Sequence, residues 1–271
     1  MEPTPCVLIT GGAGLVAGHL VRSAPERALV HTTWRSAAPE HTAISHRVEL
    51  TDPDEVSAVA AAIRPNVIIH TAYSQSVRAD VETATAHVAD AAAMVGAKLV
   101  HLSTDMVFGG DDAPYDEDAT PNPLNEYGRW KVAAERYVQA TVADAVITRS
   151  SLVVSTNPAD HQTRWLVSAL RDGRRVTLFH DEYRTPVRAE DLAADLWTLA
   201  LGDVTGVVHL PGPERLSRAE LGVRVARQCG CDSGLIDFAS AADHPEPRPR
   251  DLTLATVRHH VRVAAPRPVA T

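Results

Sequence analysis

The sequence predicts an α/β fold in which a doubly wound parallel sheet is joined to a smaller C-terminal lobe. Two observations predict it. Short apolar segments rich in β-forming residues alternate with helical segments through residues 1–150, as a parallel sheet requires, because each crossover connection is usually a helix. From residue 151 onward the predicted elements are shorter and discontinuous, which suits a small lobe that closes over a cleft.

The first strand and the turn after it carry the clearest local signal. Cys6–Thr10 is an apolar run typical of a buried parallel strand, and residues 11–18, Gly-Gly-Ala-Gly-Leu-Val-Ala-Gly, lead directly into a helix. Glycines permit a tight turn and the close approach of a pyrophosphate, and the helix N-terminus offers free N–H groups. The pattern indicates a dinucleotide site of the Rossmann type; the alternative is a plain turn between strand and helix.

The second predicted strand, Leu29–Trp34, bears on which dinucleotide would bind. A site selective for NAD usually has an Asp or Glu at the end of this strand, where it binds the ribose hydroxyls. Arg35 and Ser36 follow instead, which suits the additional phosphate of NADP. We therefore expect NADPH to be preferred, with NADH possible. The alternative is that Arg35 is an ordinary exposed residue in a loop.

The other elements follow from apolar periodicity and from capping signals. Asp52 is expected to cap a helix that has Pro53 at its first position, and Ser217 with Glu220 forms a capping box before another helix. Further strands are predicted at 48–50, 67–70, 98–103, 143–148, 176–179 and 206–210, and helices at 53–63, 77–95, 126–140, 163–172, 188–201 and 218–228.

Tyr127 and Lys131 are four residues apart on a predicted helix, so they share one of its faces. A lysine beside a tyrosine should lower the pKa of the phenol, so that the tyrosine can exchange a proton near neutral pH. Thr104 follows the strand predicted at 98–103 and could bind the same substrate oxygen. A Tyr-x-x-x-Lys pair alone is weak evidence, because many amphipathic helices contain one; the glycine turn at the N-terminus strengthens it.

At these residues the chain resembles the dTDP-4-dehydrorhamnose reductase family of extended short-chain dehydrogenases/reductases. The resemblance rests mainly on residues 101–110 (His-Leu-Ser-Thr-Asp-Met-Val-Phe-Gly-Gly) and 123–131 (Pro-Leu-Asn-Glu-Tyr-Gly-Arg-Trp-Lys). It extends more loosely to residues 190–193 and 248–250. It implies an oxidoreductase that uses NADPH to reduce a 4-keto sugar nucleotide in deoxysugar biosynthesis.

The resemblance also implies a role for individual residues. Thr104, Tyr127 and Lys131 would be catalytic, with Tyr127 donating the proton and Lys131 also holding the nicotinamide ribose. Asp105 would contact the sugar together with Thr104 and Tyr127, and Leu152 would lie at the substrate where the family has a tryptophan. The cofactor would be held by Gly11, Gly12, Ala13, Gly14, Leu15, Val16, Glu49, Leu50, Thr71, Ala72, Tyr73, Leu102 and Lys131, with Arg35 and Ser36 at its phosphate.

Three departures from the family pattern concern the substrate and the assembly. Leu152 lacks the aromatic ring, residues 181–187 bring a glutamate and a tyrosine near the substrate, and His19 replaces a glutamate that binds magnesium between subunits in some members. We therefore expect no metal and no magnesium-linked dimer, but a monomer or another homodimer. Five side chains could meet a nucleotide diphosphate or could equally be surface arginines and core aromatics: Arg149, Trp165, Tyr183, Arg184 and Arg248.

Length and composition limit the domain organisation and the partners. The 271 residues suffice for one or two domains; we expect residues 1–150, with segments near 188–210 returning to them, to bind the dinucleotide, and residues 151–265 mainly to bind the substrate. The net charge of −8 argues against a nucleic-acid partner. The absence of a long apolar run or a signal pattern, and three cysteines, predict a cytoplasmic protein that does not enter the membrane.

Two other functions stay open at this level. One is a non-catalytic, nucleotide-binding regulatory subunit, because some proteins of this lineage resemble the reductases and serve another enzyme. The other is a sugar-nucleotide epimerase or dehydratase of the same superfamily. A dehydratase usually needs an acidic pair after the catalytic threonine, and Asp105-Met106 supplies only one carboxylate.

Overall fold

A seven-stranded parallel sheet forms the centre of the protein, in a computed structural model that describes residues 4–41, 43–257 and 267–269. Each strand pairs with its neighbours in parallel, and the strand order is β11-β6-β5-β4-β1-β2-β3. The order reverses beside β1, so a crevice opens there at the carboxyl ends of the strands. The seven strands are β1 (Cys6–Thr10), β2 (Leu29–Trp34), β3 (Ile44–Arg47), β4 (Val67–His70), β5 (Lys98–Thr104), β6 (Ala145–Ser150) and β11 (Gly206–Leu210).

Helices cover both faces of this sheet, because successive strand residues point to opposite sides. Val7 and Ile9 of β1 pack into one core with α1 and α6, whereas Leu8 packs into a second core with α2, α3 and α4. This arrangement is the predicted doubly wound fold. The helices are α1 (Leu15–Arg22), α2 (Pro53–Ile63), α3 (Glu82–Val95), α4 (Glu126–Thr141), α5 (His161–Arg171), α6 (Ala189–Leu201) and α7 (Arg218–Gln228).

A smaller lobe is built from three two-stranded sheets with α5 and α7. Its own apolar core includes Val154, Leu166, Leu178, Leu221 and Val225. The chain returns to the main sheet through α6 and β11, and the assignment of residues 1–150 and 151–265 to separate roles stays a prediction. The short strands are β7 (Val153–Val154), β8 (Val176–Phe179), β9 (Tyr183–Arg184), β10 (Val187–Arg188), β12 (Leu216–Ser217) and β13 (Ile236–Ala239).

Local side-chain hydrogen bonds set the predicted helix starts. The Asp52 carboxylate accepts from the backbone N–H groups of Asp54 and Glu55 at the start of α2. Ser217 and Glu220 form the predicted capping box at the start of α7, with both hydrogen bonds present. Such caps satisfy backbone donors that a helix leaves free, and each contributes on the order of 1 kcal/mol.

Two predictions depart most from the structure, while the strand predicted at 143–148 is shifted by two residues to Ala145–Ser150. Residues 48–50 are not a strand; β3 lies earlier, and the backbone N–H of Glu49 instead donates to Glu55 Oε2 at 2.8 Å in a turn that leads into α2. The predicted helix at 77–95 begins only at Glu82, because the carbonyl of Arg78 accepts from the N–H groups of Val81 and Glu82 in a preceding turn. Within the described residues no helix has the length and apolar character to cross a bilayer.

Two histidines are buried in adjacent strands of the sheet, and they should make stability depend on pH. His70 and His101 stack with ring centroids 5.3 Å apart. Burial, with a smaller contribution from Lys131, lowers the pKa of His70 to about 3, and burial lowers that of His101 well below its ordinary value. Both are therefore neutral in the folded protein at pH values where the unfolded chain would protonate them.

Stability should consequently fall as the pH decreases from about 6.5 towards 3, since the unfolded state binds more protons there. Between pH 7 and pH 4.5 we expect His70 alone to account for a loss of about 2–3 kcal/mol in the free energy of unfolding. Urea unfolding of the wild type and of His70→Asn at both values measures it, with exposed His180→Gln as the control. An identical pH dependence in wild type and His70→Asn would contradict the prediction.

Candidate functional site

A cavity of about 280 Å³ opens at the carboxyl ends of β1, β2 and β4, where the strand order reverses. Trp34 at the end of β2, and Asp80 and Ala84 near the start of α3, complete its wall. The lining contains ten of the residues predicted to bind the cofactor: Gly11, Ala13, Gly14, Arg35, Ser36, Glu49, Leu50, Thr71, Ala72 and Tyr73. Gly12 belongs to the same glycine turn, Leu15 and Val16 begin α1, and Leu102 and Lys131 lie in β5 and α4.

The glycine turn has the space and the backbone donors that a pyrophosphate needs. Gly11 has a φ of +73°, and a Cβ there would lie 3.0 Å from Ala72 Cα. A Cβ on Gly12 would lie 2.8 Å from Thr32 Cβ. Gly14 caps α1, and no side chain of the described residues accepts a hydrogen bond there. The free N–H groups at the start of α1 therefore fit an anionic ligand.

A hydrogen-bonded chain of side chains positions the loop at the end of β4, and no pattern in the sequence predicted it. Thr10 Oγ1 accepts from the N–H groups of Thr71 at 3.1 Å and Ala72 at 3.2 Å. Its own hydrogen is then free to donate to Nδ1 of His70, 2.7 Å away, while Nε2 of His70 faces Thr85 Oγ1 at 3.1 Å. Neutral His70 thus fixes the segment that carries Tyr73.

Tyr127 lies in the first turn of α4, directly beside the segment that follows β5. Asn125 caps the helix by accepting from Gly128 N at 2.8 Å. A Cβ on Gly128 would lie 2.2 Å from the carbonyl oxygen of Met106, so only glycine lets the two segments approach this closely. The ring of Tyr127 is 6.1 Å from that of Tyr73, between centroids, and Tyr73 lies in the wall of the cavity of about 280 Å³.

Lys131 is buried on the same face of α4. Its Nζ donates to the carbonyl oxygen of Leu102 at 2.9 Å and lies 5.5 Å from the centroid of the Tyr73 ring. Burial lowers the pKa of Lys131 to about 8, although Glu135 acts in the opposite direction. Glu135 is itself held by Ser103 and by Arg149, whose Nη2 is 2.8 Å from Glu135 Oε2.

The prediction that Lys131 lowers the pKa of Tyr127 does not hold in this structure. Burial raises the pKa of Tyr127 well above its ordinary value, and Tyr73 and Asp105 add to the increase. The desolvation of the phenol outweighs any effect of the lysine, whose ammonium bonds to a backbone carbonyl instead. Tyr127 therefore keeps its proton at neutral pH, as a group that donates a proton must.

Five charged residues form an ion-pair network beside Thr104, called here the cleft network: Asp105, Glu182, Arg184, Arg218 and Arg248. The first three are buried, whereas Arg218 and Arg248 are partly exposed. Asp105 accepts from Thr104 Oγ1 at 3.3 Å and from Ser151 Oγ at 2.7 Å. Arg184 Nε is 3.6 Å from Asp105 Oδ2, and Glu182 Oε2 accepts from Arg248 Nε at 2.6 Å. Burial raises the pKa of Asp105, although Arg184 opposes the shift.

The cleft network contains three guanidinium groups and two carboxylates. Arg184 Nη2 is 3.3 Å from Glu182 Oε1, and Arg218 Nε is 3.9 Å from the same oxygen. Arg184 Nε has no hydrogen-bond partner among the described residues. The network carries one more positive than negative charge, and its partly exposed members Arg218 and Arg248 favour an anionic ligand there.

The remaining predicted substrate residues lie in different places. Leu152, Trp165 and Arg218 line a second, smaller cavity of about 40 Å³ in the C-terminal lobe. The guanidinium of Arg215 stacks on Tyr183, 3.4 Å from its ring centroid. Arg149 is buried in its ion pair with Glu135 and lines neither of the two cavities. The described residues contain no cluster suited to a metal ion.

A Rossmann-type sheet with this glycine turn, and with Tyr127 and Lys131 on one helix beside it, defines an extended short-chain dehydrogenase/reductase. The family described as RmlD substrate binding domain matches residues 5–266, and the chain belongs to that family. A probable low-salt glycan biosynthesis reductase of Haloferax volcanii is 30% identical over an alignment of 260 residues that covers 89% of this chain and 87% of the relative.

The chain is also similar to a dTDP-4-dehydrorhamnose reductase and to a subunit of a methionine adenosyltransferase. A dTDP-4-dehydrorhamnose reductase of Mycolicibacterium smegmatis is 30% identical, over 90% of this chain and 75% of the relative. The methionine adenosyltransferase 2 subunit beta of Xenopus laevis is 28% identical, over 83% and 72%. The crystal structure of the Bacillus anthracis dTDP-4-dehydrorhamnose reductase in complex with NADP has a TM-score of 0.80 at 23% identity, over 93% of this chain and 90% of that one, and shows the same fold.

Proposed function

We propose that the protein is an NADPH-dependent reductase of 4-keto sugar nucleotides, with dTDP-linked deoxysugars as the expected substrates. The observation that carries the proposal is the position of Tyr127, whose ring centroid is 6.1 Å from that of Tyr73, a residue in the wall of the dinucleotide cavity. The named reductases among the relatives, 30% identical over most of the chain, support the same reaction class.

The dinucleotide site fits NADP(H) by its chemistry. The N–H groups at the start of α1 would hold the pyrophosphate, Thr71, Ala72 and Tyr73 would flank the nicotinamide half, and Arg35 with Ser36 would face the 2′-phosphate. A bound nicotinamide supplies the hydride that the reduction needs. Lys131, fixed by its hydrogen bond to Leu102, would hold the nicotinamide ribose.

The chain's own residues would handle the proton and the developing charge. Tyr127 donates its phenolic proton to the oxygen of the keto group as that oxygen becomes an alkoxide, and its raised pKa means that the phenol is protonated at neutral pH. Thr104, whose hydroxyl lies at the carboxyl end of β5 beside α4, would turn its hydrogen from Asp105 to the same oxygen. The positive excess of the cleft network suits the diphosphate of a sugar nucleotide.

The decisive experiment incubates the purified protein with NADPH and a panel of 4-keto sugar nucleotides that differ in sugar and base. We expect NADPH oxidation with at least one dTDP-linked compound, and formation of the corresponding alcohol by mass spectrometry. NADPH binding without oxidation across the panel would overturn the proposal.

A non-catalytic regulatory subunit is the second candidate, because relatives named methionine adenosyltransferase 2 subunit beta match 83% of the chain. The retained Tyr127, Lys131 and Thr104 favour the reductase. The two candidates differ in the panel experiment: a regulatory subunit would bind a dinucleotide, consume none of it, and change the activity of a separate enzyme.

A further inference from the structure

The adenosine end of the dinucleotide cavity contains an acidic residue that comes from outside the usual strand. Asp80 lies in the turn before α3, and it lines the cavity together with Arg35, Ser36 and Glu49. Asp80 Oδ1 is 2.9 Å from Nη1 of Arg35, in an ion pair that joins the segment after β2 to the segment after β4. The Asp80 side chain is mostly buried, at 13% exposure, whereas that of Arg35 is 56% exposed.

The ion pair between Arg35 and Asp80 should affect the binding of NADP(H) and of NAD(H) differently. The three charged residues that line the cavity, Arg35, Glu49 and Asp80, carry one positive and two negative charges. A 2′-phosphate near Arg35 would have to share that guanidinium with Asp80 and would meet a like charge, which weakens binding. A free ribose diol carries no charge, and its hydroxyls are donors that a carboxylate accepts.

We propose that Asp80 is a specificity-determining residue for the dinucleotide: it holds Arg35 in an ion pair, weakens the binding of NADP(H), and offers NAD(H) the carboxylate that the end of β2 lacks. The inference rests on the proposed function only in that a dinucleotide binds in this cavity. Asp80 makes the preference for NADPH smaller than it would be with Arg35 and Ser36 alone. The protein is therefore expected to accept both NADPH and NADH.

The test measures dissociation constants for NADP⁺ and NAD⁺ without any sugar nucleotide, by titration calorimetry at low ionic strength. In Asp80→Asn we expect NADP⁺ to bind about tenfold more tightly, because a like charge is removed and Arg35 is released. NAD⁺ should bind equally well or more weakly. The gain for NADP⁺ should shrink at high salt, which screens exposed charges.

Glu82→Gln is the matched control. It also removes one negative charge, two residues away, but Glu82 pairs with Arg78 at 2.8 Å and is not part of the cavity wall. An equal gain in Glu82→Gln, or no gain in Asp80→Asn, would overturn the inference. Thermal unfolding without cofactor verifies that both variants fold.

Arg35→Ala gives a second, independent measurement. It should weaken NADP⁺ binding far more than NAD⁺ binding, and Asp80→Asn should improve NADP⁺ binding less in this background than in the wild type. If Arg35→Ala weakened NADP⁺ and NAD⁺ binding equally, Arg35 would not contact the 2′-phosphate and the inference about Asp80 would be wrong. The proposed reductase activity is tested separately, by turnover. Absence of binding of either dinucleotide to the wild type would overturn the proposed function itself.

Discussion

Tyr127→Phe should lower turnover in keto-sugar reduction by about 10²–10⁴-fold, the usual contribution of a positioned proton donor. The variant removes only the phenolic oxygen, whose proton the buried site retains because its pKa is raised. The affinity for NADPH should change by less than about twofold, since the glycine turn and Lys131 are untouched. Steady-state NADPH oxidation and a dissociation constant for NADPH measure the two quantities.

Tyr137→Phe is the control on the same helix. The exposed Tyr137 hydroxyl donates to Asp90 of α3, and Tyr137 is not among the residues that line the cavity. We expect wild-type turnover in this variant. Unchanged turnover in Tyr127→Phe would show that another group donates the proton and would remove the central role given to Tyr127.

Gly128→Ala should also abolish most of the activity, for a reason of packing. The new methyl group would lie 2.2 Å from the Met106 carbonyl oxygen and 2.7 Å from Pro123 Cβ, so the start of α4 must move away from the segment after β5. Movement of Tyr127 by about 1 Å relative to Thr104 is expected to cost on the order of 10²-fold in turnover. The overpacking should cost about 1–3 kcal/mol of stability.

Gly18→Ala is the control that separates the steric effect of the added methyl group from the effect of replacing a helical glycine. Gly18 lies within α1, and a Cβ there would meet only the flexible Nη1 of Arg22, at 3.3 Å. Alanine has the higher helix propensity, so Gly18→Ala should stabilise the fold by about 0.5–1 kcal/mol. Gly128→Ala with full turnover and comparable stabilisation would contradict the close approach. Chemical unfolding and turnover are measured for both variants.

Elements that depend on neighbouring residues were predicted well from the sequence. The limits of β1, β2, β4, β8 and β11 agree with the predicted strands, and the caps Asp52 and Ser217 begin helices as expected. The wrong predictions at residues 48–50 and 77–81 have the same cause. At residues 48–50 and 77–81 the backbone groups bond within turns, through Glu55 and through the Arg78 carbonyl, and apolar periodicity does not report such bonds.

In the candidate site, too, features that depend on residues close in sequence were predicted, and contacts between distant segments were not. Helical spacing placed Tyr127 and Lys131 on one face of α4, and the glycine turn predicted the cavity wall. The sequence did not predict that His70 and Thr10 would fix the Thr71–Ala72 backbone. It also missed the pairing of Asp80 with Arg35 and of Asp105 with Arg184, because these contacts join segments more than 40 residues apart.

The sequence by itself determined the α/β class, the dinucleotide turn and the pair Tyr127 and Lys131, because each depends on residues a few positions apart. Only the tertiary structure decided the electrostatic character of these groups. The pKa of Tyr127 is raised rather than lowered, because burial among Tyr73 and Asp105 outweighs the lysine. Asp80 reaches Arg35 only when β2 and the start of α3 are brought together, since charge and solvation depend on neighbours in space.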